Sequence, residues 1–121
     1  MTDKRTALQD LWQFEREFWL ADAAKIRQRL AEPALLVFPP PTGVLQGMAG
    51  VEALAAAPRW TSVVLRKQTL NFPAAGVAVL AYAVRAGRDD SPDHQALCSS
   101  TYVHDGEAWK LALHHQTALT E

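Results

Sequence analysis

Asp105-Gly106 stands between two runs that read as strands, His94 to His104 and Glu107 to Thr117. An Asp-Gly pair supplies the left-handed backbone of a tight hairpin and is among the strongest short-range folding signals. The chain is therefore committed to an antiparallel pair near its C-terminal end. Counting outward from a two-residue turn, His104 faces Glu107, Tyr102 faces Trp109, Ser100 faces Leu111 and Cys98 faces Leu113. Side chains on such pairs share one face of the sheet. Tyr102, Trp109, Leu111 and Leu113 are bulky, which assigns that face to the core. On an unbulged count, His94 and His115 continue it, while His114 and Gln116 fall on the outer face.

Upstream, the spacing predicts helices first. Leu8, Leu11, Trp12, Phe18 and Trp19 fall within one arc of a helix over residues 4–20. Asp22 is positioned to cap a second short helix from Ala23 to Ala31, which Pro33 ends. Ala34 to Phe38 reads as a short buried strand, Pro39-Pro40-Pro41 as an extended passage, and Gly47 to Ala57 as a third helix closed by Pro58. Strands are then expected from Trp60 to Phe72 and Val77 to Ala86, with a polar loop from Arg88 to Asp93. Helices followed by a run of antiparallel strands give an α+β domain, expected to span 1–121 as one unit.

Charge and cysteine content narrow the partners. Lys plus Arg number 12 and Asp plus Glu 13, with no basic stripe, so a nucleic acid partner is not expected. The single cysteine, Cys98, allows no intrachain disulfide. No apolar run approaches a membrane span and the first residues lead into an amphipathic segment, so no membrane association is expected and the expected location is cytoplasmic.

The C-terminal half carries a signature: Ser99-Ser100-Thr101-Tyr102-Val103, the Asp105-Gly106 turn, Trp109-Lys110-Leu111-Ala112-Leu113-His114, then Gln116-Thr117. It resembles the closing hairpin of the SnoaL-like, nuclear transport factor 2-like superfamily. The Trp-bearing first helix, Asp22, the short second helix and Leu45-Gln46-Gly47 follow that family's order. The resemblance implies a cone: a strongly bent antiparallel sheet with helices in its concave side and a pocket at the open end. Members include ketosteroid isomerase-like and polyketide cyclase-like enzymes as well as binding and assembly domains, so fold alone constrains function weakly.

The candidate chemistry centres on Glu15, which lies in the middle of the apolar arc, close in angle to Leu8 and Trp19. A carboxyl there faces the core or the pocket. It serves either as a proton shuttle or as a structural partner of a buried Trp N–H or an arginine. His115 is the second catalytic candidate. The expected ligand-lining set is Glu15, Trp19, Phe38, Tyr82, Ser100, Tyr102, Trp109 and His115. No cofactor is expected, since no phosphate-binding glycine loop and no Gly-x-Ser-x-Gly elbow occur. No metal is expected either. His114 and His115 point to opposite faces, and His94, His115 and Cys98 have no established ligand spacing. The stretch from Pro33 to Gly47 holds no carboxylate, so the aspartate base of ketosteroid isomerase-like members has no counterpart there.

Val77, Val79 and Ala81 lie on one face of their strand, and Ala78, Leu80, Tyr82 and Val84 on the other. A sheet covered on one side alternates apolar with polar. Apolar residues on both faces, with no spare helix, predict a homodimer through the outer sheet face. Three readings follow: a dimeric small-molecule-binding domain for a small apolar or aromatic ligand, an isomerase or cyclase-type enzyme using Glu15 or His115, and a pure assembly module.

Overall fold

The computed structural model describes residues 4–89 and 91–119. The side chain of Leu8 and the loop position Asp90 lie outside the described residues. The elements are α1 (Lys4–Leu20), α2 (Ala23–Arg29), β1 (Leu30–Phe38), β2 (Gly43–Gln46), α3 (Gly47–Ala56), β3 (Ser62–Ala74), β4 (Val77–Arg88), β5 (Ser91–His104) and β6 (Trp109–Ala118). Among the described residues no helix is long and apolar enough to cross a membrane.

The α+β class holds, with helices on one face of a six-stranded sheet in the order β2-β1-β6-β5-β4-β3. Several details differ from expectation. The sheet is mixed, because β1 runs parallel to β6 while every other pair is antiparallel. Gly43–Gln46 forms a short edge strand on β1. Asp22 caps α2 as expected, its carboxylate accepting the Lys25 N–H at 3.0 Å. The helix ends sooner than expected, however, and Pro33 lies within β1.

Alternation sets the inner face. Ala78, Leu80, Tyr82, Val84 and Ala86 of β4 and Ala96, Cys98, Ser100 and Tyr102 of β5 are buried. Leu11, Phe18 and Trp19 of α1 pack into the same cluster. Bulges interrupt the β3–β4, β4–β5 and β5–β6 ladders, and each adds local bend and twist. The end of α1 is tied down by Arg59, whose guanidinium donates to the carbonyls of Phe18, Trp19 and Ala21. A cation there also suits the negative end of the helix dipole.

Gly50 lets α3 lie against β1. A Cβ at this position would collide with the Leu36 Cδ1 and stand 3.1 Å from its Cγ. Leu36 is fully buried and cannot swing away freely. Gly50→Ala is therefore expected to lower unfolding free energy by about 1–3 kcal/mol despite the better helix propensity of alanine. A urea titration with unchanged midpoint would contradict this packing.

Candidate functional site

The hairpin register decides what faces inward. Asp105 Oδ1 accepts the backbone N–H groups of both Glu107 and Ala108 at 2.8 Å. This draws Asp105 to Ala108 into one loop and pairs His104 with Trp109 rather than with Glu107. Tyr102 consequently faces Leu111. A bulge then leaves Ala112 unpaired, since Thr101 is opposite Leu113 and Ser100 opposite His114. One extra residue moves every following side chain to the other face. His114 and Gln116 are buried inside, and Leu113 and His115 lie on the outer side, with His115 exposed. The inward placement expected for Leu113 and His115 is thereby reversed.

Glu15 is fully buried at the centre of the inner face. The Tyr102 hydroxyl donates to its Oε1 at 2.6 Å, and the Tyr82 hydroxyl donates to its Oε2. Trp19 Nε1–H in turn donates to the Tyr82 oxygen at 3.0 Å. Burial lifts the Glu15 carboxyl above its ordinary value, against the pull of hydrogen bonds from Tyr102, Tyr82 and Ser100. Burial, followed by the Glu15 charge, pushes both tyrosines upward, so they keep their protons and act as donors.

His114 completes this cluster. Its Nδ1 is 2.7 Å from Ser100 Oγ and 3.7 Å from Glu15 Oε2, and its Nε2 is 3.1 Å from Gln116 Nε2. Phe18 packs on the ring with centroids 4.1 Å apart. Burial depresses the imidazole to about 3, so it is neutral and the contact with Glu15 is not an ion pair at neutral pH.

In front of this cluster lies an open cleft of about 320 Å³. Phe18, Trp19, Phe38 and Trp60 supply aromatic walls, and Arg59, Arg88, His94 and Gln116 supply polar groups. The His94 ring stacks on Trp60 with centroids 5.5 Å apart and an interplanar angle of 16°. The Arg88 guanidinium lies 4.2 Å from the centroid of the Trp60 ring. This volume lies at the small end of ligand cavities, and mostly apolar walls with few polar groups are the usual lining.

The expected lining set divides. Trp19 and Phe38 reach the cleft. Glu15, Tyr82, Ser100 and Tyr102 are joined in the sealed cluster behind it. Trp109 packs half-buried against Phe72 and His104 at the hairpin end, and His115 is on the opposite side of the sheet. Cys98 is inside and His115 outside, so those two cannot share a metal with His94. Burial pushes the Cys98 thiol up to about 12, which leaves it unreactive. Sequence reasoning missed His114 and Gln116 because it ran the strand without a bulge. Trp60 entered only as the start of a strand, and Arg59 and Arg88, which no local pattern brings together, were passed over.

No protein-family model and no curated protein matches the sequence. Solved structures do. A nuclear transport factor 2-like protein from Cytophaga hutchinsonii superposes with a TM-score of 0.78 at 13% identity, covering 98% of this chain and 100% of that one. A protein proposed to be a ketosteroid isomerase, from Parabacteroides distasonis, gives 0.76 at 13% identity over 91% and 86%. The hub homology domain of the Chlamydamonas reinhardtii CamKII gives 0.74 at 14% identity over 94% and 99%. The likeness is one of architecture and runs through nearly the whole chain: this protein has the nuclear transport factor 2-like, ketosteroid isomerase-like fold.

Proposed function

We propose that this chain is a dimeric cone-fold domain that binds a small apolar or aromatic molecule in the cleft between Trp19, Phe38 and Trp60. The observation that carries this reading is the open aromatic cleft with His94 and Gln116 in its lining. Proton-shuttle chemistry finds less support. Glu15 has no exposed surface and His115 is on the far side of the sheet.

The homodimer reading is favoured by the outer sheet face. Val79, Thr101, Leu113 and Leu35 form one row across the strands, and Ala81, Ser99, His115 and Val37 the next. Ala83, Leu97 and Thr117 form a third. On β4, β5, β6 and β1 these rows hold no Lys, Arg, Asp or Glu, Arg66 of β3 joining the third row only at the sheet edge, and Leu35 and Leu97 are 42% and 51% exposed. A second copy laid on this face removes that apolar surface from water. The same face also serves an assembly role, the reading to which the hub domain likeness lends weight. The cytoplasm is the proposed location.

Native mass spectrometry of the purified protein tests both parts together. The expected spectrum is a dimer, with additional small-molecule mass that disappears on denaturation. A monomer at micromolar concentration would overturn the dimer. A bare dimer whose tryptophan emission is unchanged by added small aromatics would overturn ligand binding and leave the assembly role.

A further inference from the structure

The buried cluster fixes the polarity of the cleft wall, and this deepens the ligand-binding reading on which it rests. Glu15 accepts the hydroxyl protons of Tyr82 and Tyr102. His114 Nδ1 lies 3.7 Å from Oε2, the oxygen that takes the Tyr82 proton. A bare nitrogen lone pair facing that accepting oxygen is repelled, whereas an N–H there is attracted. The Gln116 amide leads to the same assignment by a separate route. Its nitrogen only donates, so the 3.1 Å contact makes the imidazole Nε2 the acceptor and leaves the ring hydrogen on Nδ1, where Ser100 Oγ accepts it at 2.7 Å. Neutral His114 therefore carries its hydrogen on Nδ1 and presents a bare Nε2.

A bare Nε2 accepts, and the group 3.1 Å from it is the Gln116 amide nitrogen. The amide orientation is thus dictated from behind by Glu15, through Ser100 and His114. Gln116 is only 8% exposed, and its carbonyl oxygen has no hydrogen-bond partner among the described residues. This oxygen is not among the sealed unpaired atoms, so it stays open to the cleft, where a ligand donor can replace water. Gln116 also lines the cleft.

We propose that Gln116 is the specificity-determining residue of the cleft, a fixed acceptor that selects small aromatic ligands bearing an N–H or O–H donor. His114 and Ser100 act as positioning residues, holding the amide so that its carbonyl serves the cleft. Phe18 packed on the His114 ring keeps the imidazole from turning over.

Two measurements test this. The first uses the wild-type protein without ligand: imidazole ¹⁵N shifts of His114 are expected to report the Nδ1–H tautomer. An Nε2–H tautomer would turn the amide around, present N–H to the cleft, and overturn the proposal. The second compares indole with benzofuran, which differ by an N–H donor against an oxygen acceptor, by NMR titration. Wild type is expected to bind indole about tenfold more tightly, the scale of one well-formed hydrogen bond. In Gln116→Leu the two dissociation constants are expected to converge. Equal affinities in wild type, or a preference that survives in Gln116→Leu, would overturn the donor selection while leaving the cleft as a binding site. Failure of wild type to bind either probe at millimolar concentration would overturn the binding reading and this proposal with it. Should Gln116→Leu not fold, the tautomer and the wild-type affinity ratio still decide.

Discussion

Glu15→Ala is expected to lower the unfolding free energy by about 3–5 kcal/mol, the scale for removing one member of a buried charged network. The loss is large because the partners stay behind. Without the carboxylate, the hydroxyls of Tyr82 and Tyr102 are buried donors with nowhere to donate. Glu15→Gln keeps the shape and one acceptor but turns an N–H toward a hydroxyl that is itself a donor, and about 2 kcal/mol of loss is expected. Tyr102→Phe removes a single donor and is expected to cost about 1–2 kcal/mol. Urea unfolding of the three variants checks the order. A carboxyl held in a solvated pocket for proton transfer behaves in the opposite way, since there Glu15→Gln spares stability. A loss below about 0.5 kcal/mol in that variant would therefore count against the buried-network assignment and return weight to a catalytic one.

The second large effect is acid sensitivity set by His114. Its folded value is depressed from 6.5 to about 3 by burial, with a smaller contribution from the neighbouring His115 charge. The unfolded chain takes up a proton between those values and the folded chain does not. Stability contributed by the neutral imidazole is thus complete above pH 6.5 and is lost as pH falls toward about 3. One proton corresponds to roughly 1.4 kcal/mol per pH unit at full slope. Glu15 works against this, because its folded value is raised. The folded state holds that proton where the unfolded chain has released it, so the Glu15 contribution grows on acidification above 4.5. Urea curves at several pH values are expected to show wild type losing stability below neutrality, with a visibly shallower dependence in His114→Gln. Parallel dependences in the two proteins would mean that His114 is not the neutral group described.

Much of the architecture was legible from local chemistry. The helical arc from Leu11 to Trp19 identified α1 and placed Glu15 among its inward residues, because a helix wheel needs only spacing. Asp22 announced α2 because an N-cap acts on its immediate neighbours. The bulk of Tyr102 located the inner face of β5, while β4, apolar on both sides, gave no such choice. What escaped were features decided by distant or subtle partners. The parallel pairing of β1 with β6 joins segments with most of the chain between them. The bulge at Ala112 has no glycine or proline to mark it, and its flanks are apolar on either phase. Past it, His114 with Gln116 and His115 with Thr117 are similarly polar, so composition could not choose which pair faces inward. The hairpin was recognised but its loop was read too short, since Asp105 reaches over two backbone N–H groups instead of simply entering a two-residue turn.

The position of β6 in the sheet has a consequence for how the chain comes together as it is synthesised. Among the described strands it comes after all the others in the chain, yet it lies between β1 and β5 and pairs with both. Before it is made, β1 with β2 and β3 to β5 are two separate pieces with no shared ladder. The same strand brings His114 and Gln116 to the inner face, where His114 meets Glu15, so the carboxylate waits for its last neighbours as well. Without Trp109 to Ala118 the facing edges of β1 and β5 stand unpaired, the kind of exposed ladder that favours aggregation. The two pieces of the sheet become one when this strand slots into the middle.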